Sequence, residues 1–125
     1  MTQLLHDRLA VTATFYTLVM AGWAFVQALR GRGLAGGYFG AIVIGELLLV
    51  LQGLLGLFLL LGGSGPALER AWLHGLYGLL ALLIWPFLFT YTRNQPGRRE
   101  SILFAAGSLF LWGLVVRAVD TGAVR

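Results

Sequence analysis

Two side chains in this sequence are suited to metal chemistry. His6, in "LLHDRLAVTA", and His74, in "RAWLHGLYGLLA", are its only histidines. Each stands at the mouth of a long apolar run. Imidazole is a common axial ligand of heme iron, and its surroundings then set the potential. From His6, helical steps of four, seven and eleven reach Ala10, Ala13 and Thr17. From His74 the same steps reach Gly78, Ala81 and Trp85. Residues at these steps share one stripe of a helix. Each imidazole is thus followed on its own face by two very small residues, the clearance a flat macrocycle needs. Arg8, Arg70 and Arg117 fall at the same membrane level and suit the pairing of propionates.

Two more polar residues lie within apolar runs. Glu46 stands about eight residues into the second run. A carboxylate at such depth is costly and usually faces a partner or water. It could accept a proton at a quinone pocket, or sit protonated and bonded to a neighbouring helix. Gln52 shares a broad face with Gly45, Gly53 and Gly56. Its amide suits a bond across helices, with the glycines allowing close approach.

Other chemistries are excluded or poorly supported. No cysteine is present, which removes thiol catalysis, disulfides, iron–sulfur clusters and cysteine-ligated zinc. No serine–histidine–acid set is visible. Zinc wants about four close donors, and two histidines fall short of that. "GRGLAGG" lacks the lysine and the strand-to-helix setting of a phosphate loop.

These residues are carried by elements that composition identifies. Of the 125 residues, 58% are hydrophobic and 11% charged. That balance is wrong for a soluble domain and right for an integral membrane protein. Four apolar spans are expected, over about 5–29, 38–61, 68–92 and 99–119. Each is long enough to cross a bilayer as a helix. Barrel-type alternation is missing from all four. The connections are short, so the expected fold is all-α: a single-domain, up-down-up-down four-helix bundle. Pro86, inside the third span, is expected to kink it and free a carbonyl near Leu82.

The charge of +4 comes from arginines at span ends and does not indicate nucleic acid. Arg30, Arg32, Arg93, Arg98 and Arg99 lie on one side. Arg8, Arg70, Arg117 and Arg125 lie on the other, offset by Asp7, Glu69 and Asp120. The positive-inside rule makes the first side cytoplasmic and puts both termini outside, in a membrane such as the bacterial cytoplasmic one. The first span has no basic region ahead of it and no small-residue cleavage site, so it reads as a retained helix.

Both histidines fall on one membrane side, on helices one and three. Arranged in sequence order, these helices are diagonal partners, about 11–14 Å apart. That gap suits two imidazoles with a flat cofactor between them and is too wide for direct side-chain packing. A second reading stays open, in which both are interfacial histidines and the small residues only ease helix packing.

"LLHDRLAVTATFYTLVMAGWAFVQALRGR" resembles the histidine-bearing first helix of one half of the heme A synthase family. "LLLVLQGLLGLFLLLGGSGPALERAWLHGLYGLLALLI" resembles the two helices that follow. The resemblance spans about 85 residues, from Gln3 to Phe87. It implies that His6 and His74 match two heme-ligand histidines, and Gln52 and Gly56 a glutamine–glycine pair. The family has two such halves and this chain has one. Gln3 stands where the family has its catalytic glutamate, and Asp7 separates His6 from Arg8. The implied likeness is therefore to the heme-holding half-bundle, or to small membrane b-type cytochromes in general, rather than to the heme-modifying enzyme. "GELLLVLQGLLGL" alone also resembles a helix of the DoxX group of small membrane proteins.

Three functions are therefore expected to compete. The first is a cytochrome with one heme b held by His6 and His74, passing electrons to a quinone or to a redox partner in a respiratory or photosynthetic assembly. The second is a cofactor-free accessory or scaffold subunit of a larger membrane complex. The third is a small quinone-dependent carrier or enzyme that uses Glu46, with Gln52 nearby.

Overall fold

The computed structural model describes residues 2–34, 36–62, 68–92 and 97–122, with the side chains of 2–3, 68–70 and 121–122 outside that description. Four helices follow in order: α1 (Thr2–Leu29), α2 (Gly36–Leu61), α3 (Leu68–Thr92) and α4 (Arg98–Gly122). Each is long and apolar enough to span a membrane. This is the expected all-α bundle. The observed helices start earlier than the apolar runs in three of four cases. Hydropathy detects only the lipid-exposed core of a span, whereas backbone hydrogen bonding continues into polar flanks. Pro86 lies inside α3, which carries on past it as far as Thr92.

Helix α1 packs on α2 and α4, and α3 packs on the same two. The diagonal pairs, α1 with α3 and α2 with α4, make no backbone-level contact among the described residues. The bundle is therefore a ring in sequence order. Its seams are unequal: α4 packs extensively on α1 and α3, and the α2–α3 seam is the sparsest.

The inward faces follow a three–four rhythm. On α2 the buried residues include Tyr38, Ile42, Gly45 and Leu49. On α4 they include Ser101, Phe104, Ser108, Leu111 and Val115. Steps of three and four residues keep one face of each helix turned to the core. Helix α1 lines the core with Ala13, Thr17, Met20, Ala24 and Ala28. Small residues there let α4 approach closely, which is how helices associate when lipid tails are as apolar as leucine.

Interhelical bonds set the register of the antiparallel pairs. Tyr38 donates its hydroxyl to the Met20 carbonyl at 3.1 Å, and Tyr16 donates to Ala41 at 2.5 Å. Trp85 Nε1 donates to Ser108 Oγ at 3.0 Å. At the end bearing residues 30–34, Arg98 Nε donates to the Ala28 carbonyl at 2.9 Å, and Ser101 Oγ to Arg32 at 2.6 Å. That end is called the loop end below, and the opposite one the histidine end. Gly45 is required where α2 crosses the core, because a Cβ there would stand 2.6 Å from both Trp85 Cζ3 and Tyr16 Cε1.

Candidate functional site

At the histidine end, His6 from α1 and His74 from α3 point into the bundle and meet. Their ring centroids are 6.1 Å apart, with ring planes at 79°. The expectation that the diagonal gap forbids direct packing is corrected by this distance. The helices are diagonal, but each imidazole reaches several ångströms from its own backbone, so the rings close most of the gap.

The two rings are held differently. His74 Nδ1 lies 2.7 Å from the carbonyl oxygen of Ala118 on α4. A carbonyl only accepts, so Nδ1 carries the hydrogen. In the neutral ring Nε2 then keeps its lone pair, the arrangement typical of metal-ligating histidines. His6 has its support on α2. Gln52 Nε2 donates to the His6 backbone carbonyl at 2.8 Å. One turn further on, Gly56 faces the ring, where a Cβ would stand 3.2 Å from His6 Cε1. His6 Nδ1 and Gln52 Oε1 are both buried and make no hydrogen bond.

The small residues beneath the rings divide into two levels. Ala10 and Gly78, one turn below, are half-buried. A Cβ on Gly78 would meet nothing within 4 Å. Ala13 and Ala81, two turns below, are 2% and 4% exposed and belong to the packed core. Clearance is thus confined to the first turn under the imidazoles, and the second turn is the floor.

The arginines are not equivalent. Arg8 lies two residues past His6, about 200° round the helix, and is exposed. Its position turns it away from the rings. Arg117 precedes Ala118, the residue that holds His74. Its guanidinium stands 5.8 Å from the centre of the Tyr77 ring and 4.0 Å from Asp120 Oδ2. It is the arginine at the imidazole level. The side chain of Arg70 lies outside the described residues.

Glu46 and Gln52, grouped by sequence as one polar site, are separated. Six residues of helix place them about 9 Å apart along α2, and Gln52 belongs with His6. Glu46 is half-buried, with Oε1 enclosed and unbonded. Its neighbours on that side of α2 face α3: Phe39 packs on Phe89, and a Cβ on Gly53 would come within 3.7 Å of Leu82. The carboxyl therefore lies towards the sparse α2–α3 seam. Trp85 and Ser108 are at its level and bond to each other. Trp23 packs on Tyr38 with ring centres 5.2 Å apart, two turns nearer the loop end. Among the described residues no group of three or more histidine, cysteine or acidic side chains gathers as a metal site, so the paired imidazoles stand alone as donors.

The residue that sequence reasoning missed is Ala118. It contributes only a backbone carbonyl, which every residue has, so no side-chain signal marks it. Comparisons with family models, with curated proteins and with solved structures give no match.

Proposed function

We propose that this chain is a membrane cytochrome that binds one heme b between His6 and His74 and transfers electrons near the face that carries both termini. The observation that carries the reading is the ring separation of 6.1 Å. At that separation His6 and His74 would both be able to hold one metal ion, with metal–nitrogen bonds of about 2 Å. His74 favours the reading independently, because its Nδ1 is committed to a carbonyl and its other nitrogen is left for a metal.

The chain's own residues have separable tasks here. Ala118 fixes the tautomer and rotation of His74. Gln52 anchors the backbone of His6, and Gly56 leaves room for its ring. Ala10 and Gly78 leave space beside the rings, and Arg117 supplies positive charge at their level. The bound heme would supply one-electron redox chemistry. The resemblance to the heme-holding half of heme A synthase supports the same ligand pair.

An absorption spectrum of the purified protein, oxidised and reduced, tests the reading. A Soret band that is lost in both His6→Ala and His74→Ala is the expected result. A wild-type spectrum in both single variants overturns it.

A second reading is favoured by one observation. Rings 6.1 Å apart at 79° also make an edge-to-face contact without any metal, and Ala13 and Ala81 are packed rather than open. On that reading the pair is interhelical glue in a cofactor-free accessory subunit. Colourless protein from heme-replete cells, co-purifying with stable partners, identifies this case.

A further inference from the structure

On the outer surface of the α1–α4 seam runs a groove of about 600 Å³. Gly22, Ala21 and Ala105 leave its floor low, and Leu18, Phe25 and Ile102 stand along its sides. A Cβ on Gly22 would meet nothing within 4 Å, so the floor there is open space. Arg98 closes one end, at the loop end of the bundle.

Three features select the occupant. The first is length. The groove extends along α1 from Leu18 to Leu29, which is about 17 Å of helix. Half the hydrocarbon thickness of a bilayer is about 15 Å. The groove therefore runs from the membrane surface to its midplane, the reach of one acyl chain in one leaflet. The second is charge. Arg98 is exposed, and its Nε is bonded to the Ala28 carbonyl. That bond fixes the guanidinium at the groove mouth and leaves its two terminal nitrogens pointing elsewhere. Among the described residues no carboxylate pairs with Arg98, since Glu100 is engaged by Arg99. The third is the setting. Arg30, Arg32 and Arg99 lie at the same end as Arg98, against the single acid Glu100. The larger groove on the α3–α4 face, about 790 Å³, differs in this respect. Its arginine, Arg117, has Asp120 beside it and Tyr77 beneath it.

We infer that the α1–α4 groove binds an anionic phospholipid, with one acyl chain along Gly22 and the headgroup phosphate on Arg98. Basic pockets between membrane helices recognise such headgroups, and a guanidinium suits phosphate because it presents parallel donors. The inference does not depend on heme binding.

The full chain, reconstituted in nanodiscs of equal phosphatidylglycerol and phosphatidylcholine and then released for native mass spectrometry, tests it. The expected result is retained phosphatidylglycerol, enriched about fivefold, the size expected of one basic residue at an anionic surface. Arg98→Gln should bring the two lipids to parity, and Arg99→Gln should leave the preference intact. Arg98→Lys keeps the charge without the Nε bond to Ala28 or the parallel donors, so it should keep part of the preference, between the wild type and Arg98→Gln. Gly22→Leu fills the floor without touching Arg98 and should lower retention of either lipid. Equal retention of both lipids by the wild type overturns the inference. So does an equal loss in Arg98→Gln and Arg99→Gln, or full retention in Gly22→Leu. A dimer that carries no lipid overturns it too, because a second copy then covers the groove.

Discussion

The two ends of this bundle are built on different principles. Towards the loop end, Tyr38, Phe104, Trp85 and Ser108 are almost fully buried, and each polar atom among them has a partner. Four aromatic rings, Tyr38, Phe39, Phe89 and Phe104, meet there edge to face. Towards the histidine end, the two imidazoles are only half-buried, glycines take the place of bulk, and two enclosed polar atoms go unbonded. Among the described residues, Gln27 Oε1 and, at the level of Trp85, Glu46 Oε1 are also enclosed without a partner. Buried polar atoms are satisfied in most of a folded protein, and at the histidine end the two exceptions sit together on a bonded pair, His6 and Gln52, which marks a place kept for something other than stability. The packed end holds the helices in register. The open end uses that register to bring two distant histidines together.

The largest way to break the comparison is to remove a ring. Losing either imidazole should abolish the Soret band while far-ultraviolet circular dichroism stays helical, because neither histidine belongs to the packed core. If His6→Ala instead unfolds the protein, the histidine end is structural and the contrast collapses. Next in size is Gly45→Leu at the crossing of α2. The added side chain must displace Trp85 and Tyr16, an overpacking that costs about 3 kcal/mol. Thermal unfolding in detergent should show a clear drop in midpoint. The matched change at the other end, Gly56→Leu, should leave the midpoint nearly unchanged and disturb the heme spectrum, since its Cβ meets only the edge of His6.

Smaller effects sharpen the same contrast. Trp85→Phe keeps most of the ring and loses the bond to Ser108, and polar bonds between membrane helices are worth about 0.6 kcal/mol on average. Gln52→Leu removes the bond to the His6 carbonyl at a similar cost in stability. It should also shift the midpoint potential, measured by redox titration, which Trp85→Phe should not. A potential that moves equally in both variants would mean that the two ends are not independent.

Much of the fold was legible in the residues. Apolar runs of membrane-spanning length named the four helices, and short connections named their alternation. Along the stripe from His6, Ala10 is half-buried and Ala13 buried, and along that from His74, Gly78 is half-buried and Ala81 buried. Only the first pair stands beside open space; the second lies in the packed core. Ala13 and Ala81 looked like clearance because they are small, and they are small because helices pack tightly there. The same ambiguity made Glu46 and Gln52 look like one site. Both are polar and lie close in the chain, but 100° per residue carries Glu46 towards α3 while Gln52 stays on the inward face.

Local periodicity and hydropathy act over one or two helical turns, so the sequence alone determined the number of helices, their inward faces and the shared level of the two histidines. Which atoms meet across the bundle depends on how far one helix slides along another. That register is set by shapes distant in sequence: Gly45 against Trp85 and Tyr16, Tyr38 against Met20, Trp85 against Ser108. Only the tertiary structure decided that the imidazoles stand 6.1 Å apart, that Ala118 orients one of them, and that Gln52 anchors the other.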